Sequence, residues 1–307
     1  MSVASPDLSV EIAGMQMQNP VMSASGTFGY GMEYEGYLDL SALGAIVTKA
    51  VTLEAREGNP APRVRETPAG MLNAIGLQNP GAEAFIGEKL PRLREFGVPV
   101  IVNMSGRSIE EFTRLAEVLS VDGVDALEVN VSCPNVEHEG MCFGIDCDMT
   151  GALTEAVIGA TDLPVIVKLS PNVTDIAKIG RAAASAGAHA ISLINTLCGM
   201  SIDVERRRPH LGNVTGGLSG PAIRPVAVHM VHRAAEAVDL PIIGMGGIMN
   251  AKHALEFILA GASAVAVGTA NFVEPATMPQ VVKGLADYCR RHQVRQITDL
   301  VGALQSG

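Results

Sequence analysis

Two lysines, four asparagines, one cysteine and two glycine-led pairs stand where this chain could do chemistry. Lys49 and Lys168 each follow a short apolar run, at residues 45–48 and 164–167. A lysine leaving a buried strand is costly unless its ammonium meets an anion or an electron-rich acceptor. One could neutralise a substrate carboxylate, and the other a negatively charged cofactor ring. A Schiff-base lysine of aldolase type is the competing chemistry. Asn73, Asn103, Asn130 and Asn195 each offer an amide donor and an acceptor, and the last three end apolar runs. Converging amides suit a flat ligand with alternating C=O and N–H groups, such as a pyrimidine or an isoalloxazine.

Gly246-Gly247 and Gly268-Thr269 follow the runs at 241–245 and 264–267. A missing side chain lets backbone N–H groups close on a phosphate. Neither a GxGxxG fingerprint nor a P-loop pattern is present, so a Rossmann dinucleotide site or an NTPase is unsupported. Cys133 lies three residues beyond Asn130. A thiol above a strand end can act as general base when its pocket tunes its pKa. Ser132 is its hydroxyl rival.

These residues must be positioned by something, and eight apolar runs are spaced to do it. They cover residues 20–24, 45–48, 99–102, 126–129, 164–167, 190–194, 241–245 and 264–267. Runs rich in Val, Ile and Ala, separated by helix-length stretches, read as buried parallel strands in βα units. Eight such units predict an α/β fold of the (β/α)8 TIM-barrel type, in which strand C-terminal ends share one active site. Helices are expected at 82–96, 109–120, 150–161, 174–186, 221–238, 251–260 and 278–293. Ser108 and Glu111 form a capping-box pattern; Gly97, Gly123, Gly187 and Gly261 sit where left-handed C-caps are expected. The connections 52–81, 132–149 and 197–220 are too long for simple turns. They are expected to be binding loops over one face of a single domain spanning 1–307.

The chain has 307 residues and a net charge of −10, which argues against a nucleic-acid partner. Arg206, Arg207 and Arg208 are the only dense basic run, and read as a solvated loop. No apolar run approaches the roughly 20 residues that a bilayer needs. The start lacks a basic segment followed by an apolar one, so no membrane association is expected and the cytoplasm is the default. The five cysteines are odd in number and lack CxxC spacing, which disfavours a disulfide framework or a metal site.

Glu128-Val129-Asn130-Val131-Ser132-Cys133-Pro134-Asn135 closely resembles the active-site loop of class 1 dihydroorotate dehydrogenases. Asn19-Pro20 through Ser25-Gly26-Thr27-Phe28-Gly29 resembles their N-terminal flavin segment. Asn73-Ala74-Ile75-Gly76-Leu77-Gln78-Asn79-Pro80-Gly81 resembles the orotate loop of subclass 1B in particular. Lys168-Leu169-Ser170-Pro171-Asn172, Ile194-Asn195-Thr196, Gly216-Gly217-Leu218-Ser219-Gly220 and Gly244-Met245-Gly246-Gly247-Ile248 continue the match in order. The resemblance covers about residues 8–300. One departure is His138-Glu139-Gly140-Met141-Cys142-Phe143, where a Gly-Gly pair is commoner.

The resemblance implies FMN held by Ser25, Lys49, Ala50, Asn103, Asn130, Lys168, Ile194, Gly220, Gly246, Gly247, Gly268 and Thr269. It implies substrate held by Lys49, Asn73, Ala74, Ile75, Gly76, Leu77, Asn130, Asn195 and Thr196. Cys133 would remove the C5 proton of dihydroorotate while C6 delivers hydride to flavin N5, and Lys168 would stabilise the reduced anionic flavin. Subclass 1B enzymes pair with a subunit carrying FAD and a 2Fe–2S cluster, which passes electrons to NAD+. No cysteine spacing here suits such a cluster, so the partner would carry it.

The expected function is therefore FMN-dependent oxidation of (S)-dihydroorotate to orotate in pyrimidine biosynthesis, by a homodimer within a heterotetramer. Two rivals stand beside it: a fumarate-using class 1A enzyme, and a flavin-free barrel lyase built on a Schiff base. A non-catalytic phosphate-binding module is a third.

Overall fold

The computed structural model describes residues 5–131 and 143–305. Each of the eight apolar runs forms a strand: β1 (Val21–Ser23), β2 (Ile46–Val47), β3 (Val100–Met104), β4 (Ala126–Asn130), β5 (Val165–Lys168), β6 (Ala190–Leu193), β7 (Ile242–Met245) and β8 (Ala264–Val267). Seven parallel pairings run from β2 through β7 to β8 and on to β1. The last seam, between β1 and β2, is narrow. A parallel bridge joins Met22 to Ala45, and the Ser23 hydroxyl takes the place of a ladder group. Its Oγ accepts from Val47 N–H at 2.9 Å and donates to Val47 O at 3.1 Å. The result is a closed (β/α)8 barrel. Every residue of these strands is buried, because helices cover one face and the barrel interior the other. That is why the runs show no apolar–polar alternation.

Helices Ile109–Leu119, Cys147–Ile158, Ile176–Ser185, Arg224–Ala235, Ala251–Leu259 and Thr277–His292 match six of the expected stretches. The seventh is divided into Ala82–Ala84, a π turn over Phe85–Lys89, and Leu90–Arg94. Pro91 has no N–H for the i→i−4 ladder, and the wider turn precedes it. The helix expected from residue 150 starts at Cys147, because the Asp146 carboxylate caps it by accepting from Met149 N–H at 2.9 Å. At Ser108 the cap forms as expected, with Glu111 N–H donating to Oγ at 3.2 Å. The returning Glu111 carboxylate accepts instead from Arg107 N–H at 2.8 Å. Gly97, Gly187 and Gly261 have positive φ just after helices. Gly123 also does, but lies beyond a helix already capped by Ser120.

Two features lay outside the sequence expectation. A hairpin of Val10–Ile12 and Met15–Met17 packs its buried residues into the main core. The long connections 52–81 and 197–220 join in one antiparallel sheet, ordered Leu197–Met200, Thr215–Ser219, Gly70–Asn73, Val64–Thr67. Of the connection 132–149, only residues from 143 onward are described. The arginine run sits on an exposed hairpin, where Arg206 pairs with Asp203 at 3.3 Å. Cys147, Cys198 and Cys289 are free thiols.

Candidate active site

Side chains two residues apart on a strand share a face, and neighbours in register across a parallel pair do too. Asn103 registers with Glu128, Asn130 with Lys168, and Lys168 with Ser192. Glu128 and Asn130 are two apart. Period and register thus aim five polar side chains into the upper barrel. They meet there: Glu128 Oε2 accepts from Asn103 Nδ2 at 2.6 Å and lies 3.6 Å from Lys168 Nζ, while Ser192 Oγ donates to Oε1 at 2.6 Å. Lys168 Nζ also donates to Ser25 Oγ at 2.8 Å. A buried ammonium and carboxylate in contact offset each other's desolvation only when hydrogen bonds satisfy the remaining sites. Most of those bonds are present here. Asn103 Oδ1 is the exception, a buried acceptor without a protein partner.

Above this layer lies a cavity of about 340 Å³, within the range typical of small-molecule sites. Ser25, Lys49, Ala50, Asn103 and Asn130 line it from the barrel. Asn73, Ala74, Ile75, Gly76 and Leu77 line it from the antiparallel sheet and the turn that follows. Asn195 and Thr196 complete the wall. Asn195 Nδ2 donates to Asn130 Oδ1 at 3.3 Å, and Asn195 Oδ1 accepts from Thr196 N–H at 2.8 Å. Asn73 Nδ2 donates to Gly217 O at 3.4 Å, joining the two long loops at the rim.

A smaller recess of about 70 Å³ shares Ser25, Thr27, Asn195, Thr196 and Ser219 with the cavity, so the two form one cleft. Lys168, Ile194, Gly220, Gly246, Gly247, Gly268 and Thr269 line this end. Gly247 has φ +72°, and a Cβ there would come within 2.7 Å of Gly220 O. Its glycine is a requirement of the fold. Gly268 is different: φ is unexceptional, and the nearest atom to a Cβ would be Ala24 Cβ at 3.5 Å. The chain tolerates a side chain at this point, and a phosphate group would need that space.

The cleft carries positive charge at its wider end. Lys49 is half-buried and forms no ion pair among the described residues. Burial first, and then the neighbouring Arg63 guanidinium, hold its pKa below the ordinary lysine value, with Glu33 partly opposing them. Arg63 lines the same cavity, steered by hydrogen bonds to Gln78 Oε1 at 2.6 Å and Asn59 O at 3.3 Å. Two cations facing one apolar-walled space suit a carboxylate.

Every site residue expected from the sequence therefore lines this cleft, except Cys133, which lies outside the described residues. The sequence reading missed Arg63, Ser219 and Glu128. Arg63 has no spacing signal inside its proline-rich loop. Ser219 accepts from Thr269 Oγ1 at 2.8 Å. Glu128 did leave a trace, as the one charged residue within the run 126–129. Among the described residues there is no cluster of metal-ligand type, and no helix is long and apolar enough to cross a membrane.

A (β/α)8 barrel whose strand ends gather amides, buried ions and a glycine-lined recess into one cleft is the layout of a cofactor-using enzyme. The chain belongs to the dihydroorotate dehydrogenase family, whose model, described as "Dihydroorotate dehydrogenase", matches residues 7–288. A relative from Desulforudis audaxviator is 60% identical over 295 residues, covering 96% of each chain. One from Geotalea daltonii is 55% identical over 304 residues, covering 99% of this chain and all of the relative. One from Bacteroides fragilis is 52% identical over 300 residues, covering 97% and 99%. All three are named "Dihydroorotate dehydrogenase B (NAD(+)), catalytic subunit".

Proposed function

We propose that this chain oxidises (S)-dihydroorotate to orotate with one non-covalent FMN, and that a partner subunit carrying FAD and a 2Fe–2S cluster relays the electrons to NAD+. The observation that carries this is the single cleft, with two cations at one end and the glycine-lined recess at the other. The relatives' names support the choice of substrate and of NAD+. The residues fit a flavin mononucleotide: the Gly268 space suits its phosphate, Asn103, whose buried Oδ1 lacks a protein partner, lines the wider part of the cleft, and Lys168 lines the recess.

When bound, FMN supplies the two-electron acceptor. The chain's own residues do the rest. Gly220, Gly246, Gly247, Gly268 and Thr269 hold the phosphate end, while Ser25, Ala50, Asn103, Lys168 and Ile194 hold the ring and its linker. Lys49 and Arg63 bind the substrate carboxylate, whose desolvation must be offset. Asn73, Asn130, Asn195 and Thr196 orient the pyrimidine amides, with residues 74–77 packed alongside. Cys133 would remove the C5 proton, and FMN would supply the acceptor for the C6 hydrogen and its electron pair, so that the substrate loses two electrons and two protons in all. The chain acts as one domain over 1–307, as a homodimer within a heterotetramer in the cytoplasm.

The test is electron delivery. The purified chain should be yellow, release FMN on denaturation, and reduce artificial dyes with dihydroorotate. It should form NADH only when the partner is added. Rapid NADH formation by the chain alone, or efficient fumarate reduction, would remove the partner from the reaction. A colourless protein that cannot be reconstituted would remove the flavin and favour the Schiff-base lyase.

A further inference from the structure

Glu128 lines neither part of the cleft, yet it touches two residues that do. It is a fully buried carboxylate inside a barrel, with Asn103 and Lys168 on one oxygen and Ser192 on the other. Such a group is costly to bury, and a neutral side chain could fill the same space. We propose that Glu128 is a positioning residue that also sets the charge beneath the flavin. Its hydrogen bond to Nδ2 fixes the Asn103 amide with Oδ1 free. Its negative charge offsets part of the Lys168 field that a bound cofactor experiences. The idea rests on the flavin reading above.

The two roles can be separated. In Glu128→Gln the amide oxygen can still accept from Asn103, while Ser192 Oγ can rotate to accept from the new NH2 group. Hydrogen bonding is kept and one negative charge is lost. A cofactor that gains negative charge on reduction is then more stable in its reduced form, because the attraction to Lys168 is no longer opposed. Glu128→Ala also releases Asn103. Ser192→Ala removes one hydrogen bond and leaves the charge.

The experiment is a redox titration of bound flavin in holoenzyme, with FMN affinity measured alongside. Glu128→Gln should move the midpoint potential to a more positive value and keep FMN affinity within about threefold of wild type. Glu128→Ala should weaken FMN by roughly 10- to 100-fold, the range expected when a hydrogen bond to a charged group is lost. Ser192→Ala should leave the potential in place. An unchanged or more negative potential in Glu128→Gln overturns the proposal, as does an equal shift in Ser192→Ala. If loss of the Glu128 charge beside Lys168 prevents Glu128→Gln from folding, the double variant Glu128→Gln/Lys168→Met removes both charges. Its potential should then exceed that of Lys168→Met alone, and equality overturns the proposal. Wild-type protein that binds no flavin would instead refute the flavin reading itself.

Discussion

Lys168 Nζ donates to Ser25 Oγ at 2.8 Å, tying the end of β5 to the loop after β1 across a sequence separation of 143. The hydroxyl helps to hold the ammonium on the cleft floor, beside both parts of the site. Ser25→Ala should therefore raise the FMN dissociation constant by about tenfold, the loss expected for a hydrogen bond to a charged group. Unchanged affinity by fluorescence titration would make the contact incidental.

Cys133 follows Asn130 by three residues in sequence. Cys133→Ala should slow flavin reduction by dihydroorotate by about 10²–10⁴-fold, the usual contribution of a general base, with normal flavin content. Cys133→Ser should outperform alanine only at high pH, since a hydroxyl is a far weaker acid than a thiol of pKa about 8.5. Stopped-flow reduction showing near-normal rates in the alanine variant would take the thiol out of the mechanism.

Lys49 supplies a pH dependence. Burial and Arg63 favour its neutral form, so its pKa lies below the ordinary value. The cation is the form that binds a carboxylate. Orotate affinity should hold at lower pH and fall as pH rises through that depressed pKa, earlier than an unperturbed lysine would allow. Lys49→Ala should flatten this fall, and should weaken orotate more than Asn73→Ala, because a charge-assisted contact contributes more than a neutral one. Equal losses in calorimetric titrations would place the carboxylate elsewhere.

Gly247 and Gly268, both in the recess, should respond oppositely. Gly247→Ala meets Gly220 O and a positive φ, so it should lower the melting temperature. Gly268→Ala has room in the protein. It should fold with a near-normal apoprotein melting temperature and lose FMN affinity. Normal FMN binding in Gly268→Ala would separate that position from the phosphate.

The barrel was legible because parallel strands buried on both faces leave uninterrupted Val/Ile/Ala runs, and polar residues at their ends mark the mouth. Lys49, Lys168, Asn103, Asn130 and Asn195 were found in that way. The antiparallel sheet was not legible. Strands such as Gly70–Asn73 and Thr215–Ser219 are short, glycine-containing and only partly buried, and their pairing is a tertiary fact with no local period. Arg63 was hidden for the same reason, since only that pairing brings it to the cavity. Glu128 was visible as a charge in an apolar run. Its contacts appeared only when register set it against Asn103 and the barrel brought Lys168 Nζ within 3.6 Å of its carboxylate.

The rim bond from Asn73 to Gly217 spans 144 residues. During synthesis the hairpin Val64–Thr67/Gly70–Asn73 leaves the ribosome long before Thr215–Ser219 exists to pair with it. Until then one edge of that hairpin presents unpaired backbone groups, the kind of edge that invites association with other chains. Arg65 and Glu66 are exposed on the opposite strand, so the waiting edge, Gly70–Asn73, carries no charge of its own to discourage such pairing. This wall of the cleft thus cannot be completed until residue 219 has been made, and a chain stalled before residue 215 carries a barrel in progress with no roof.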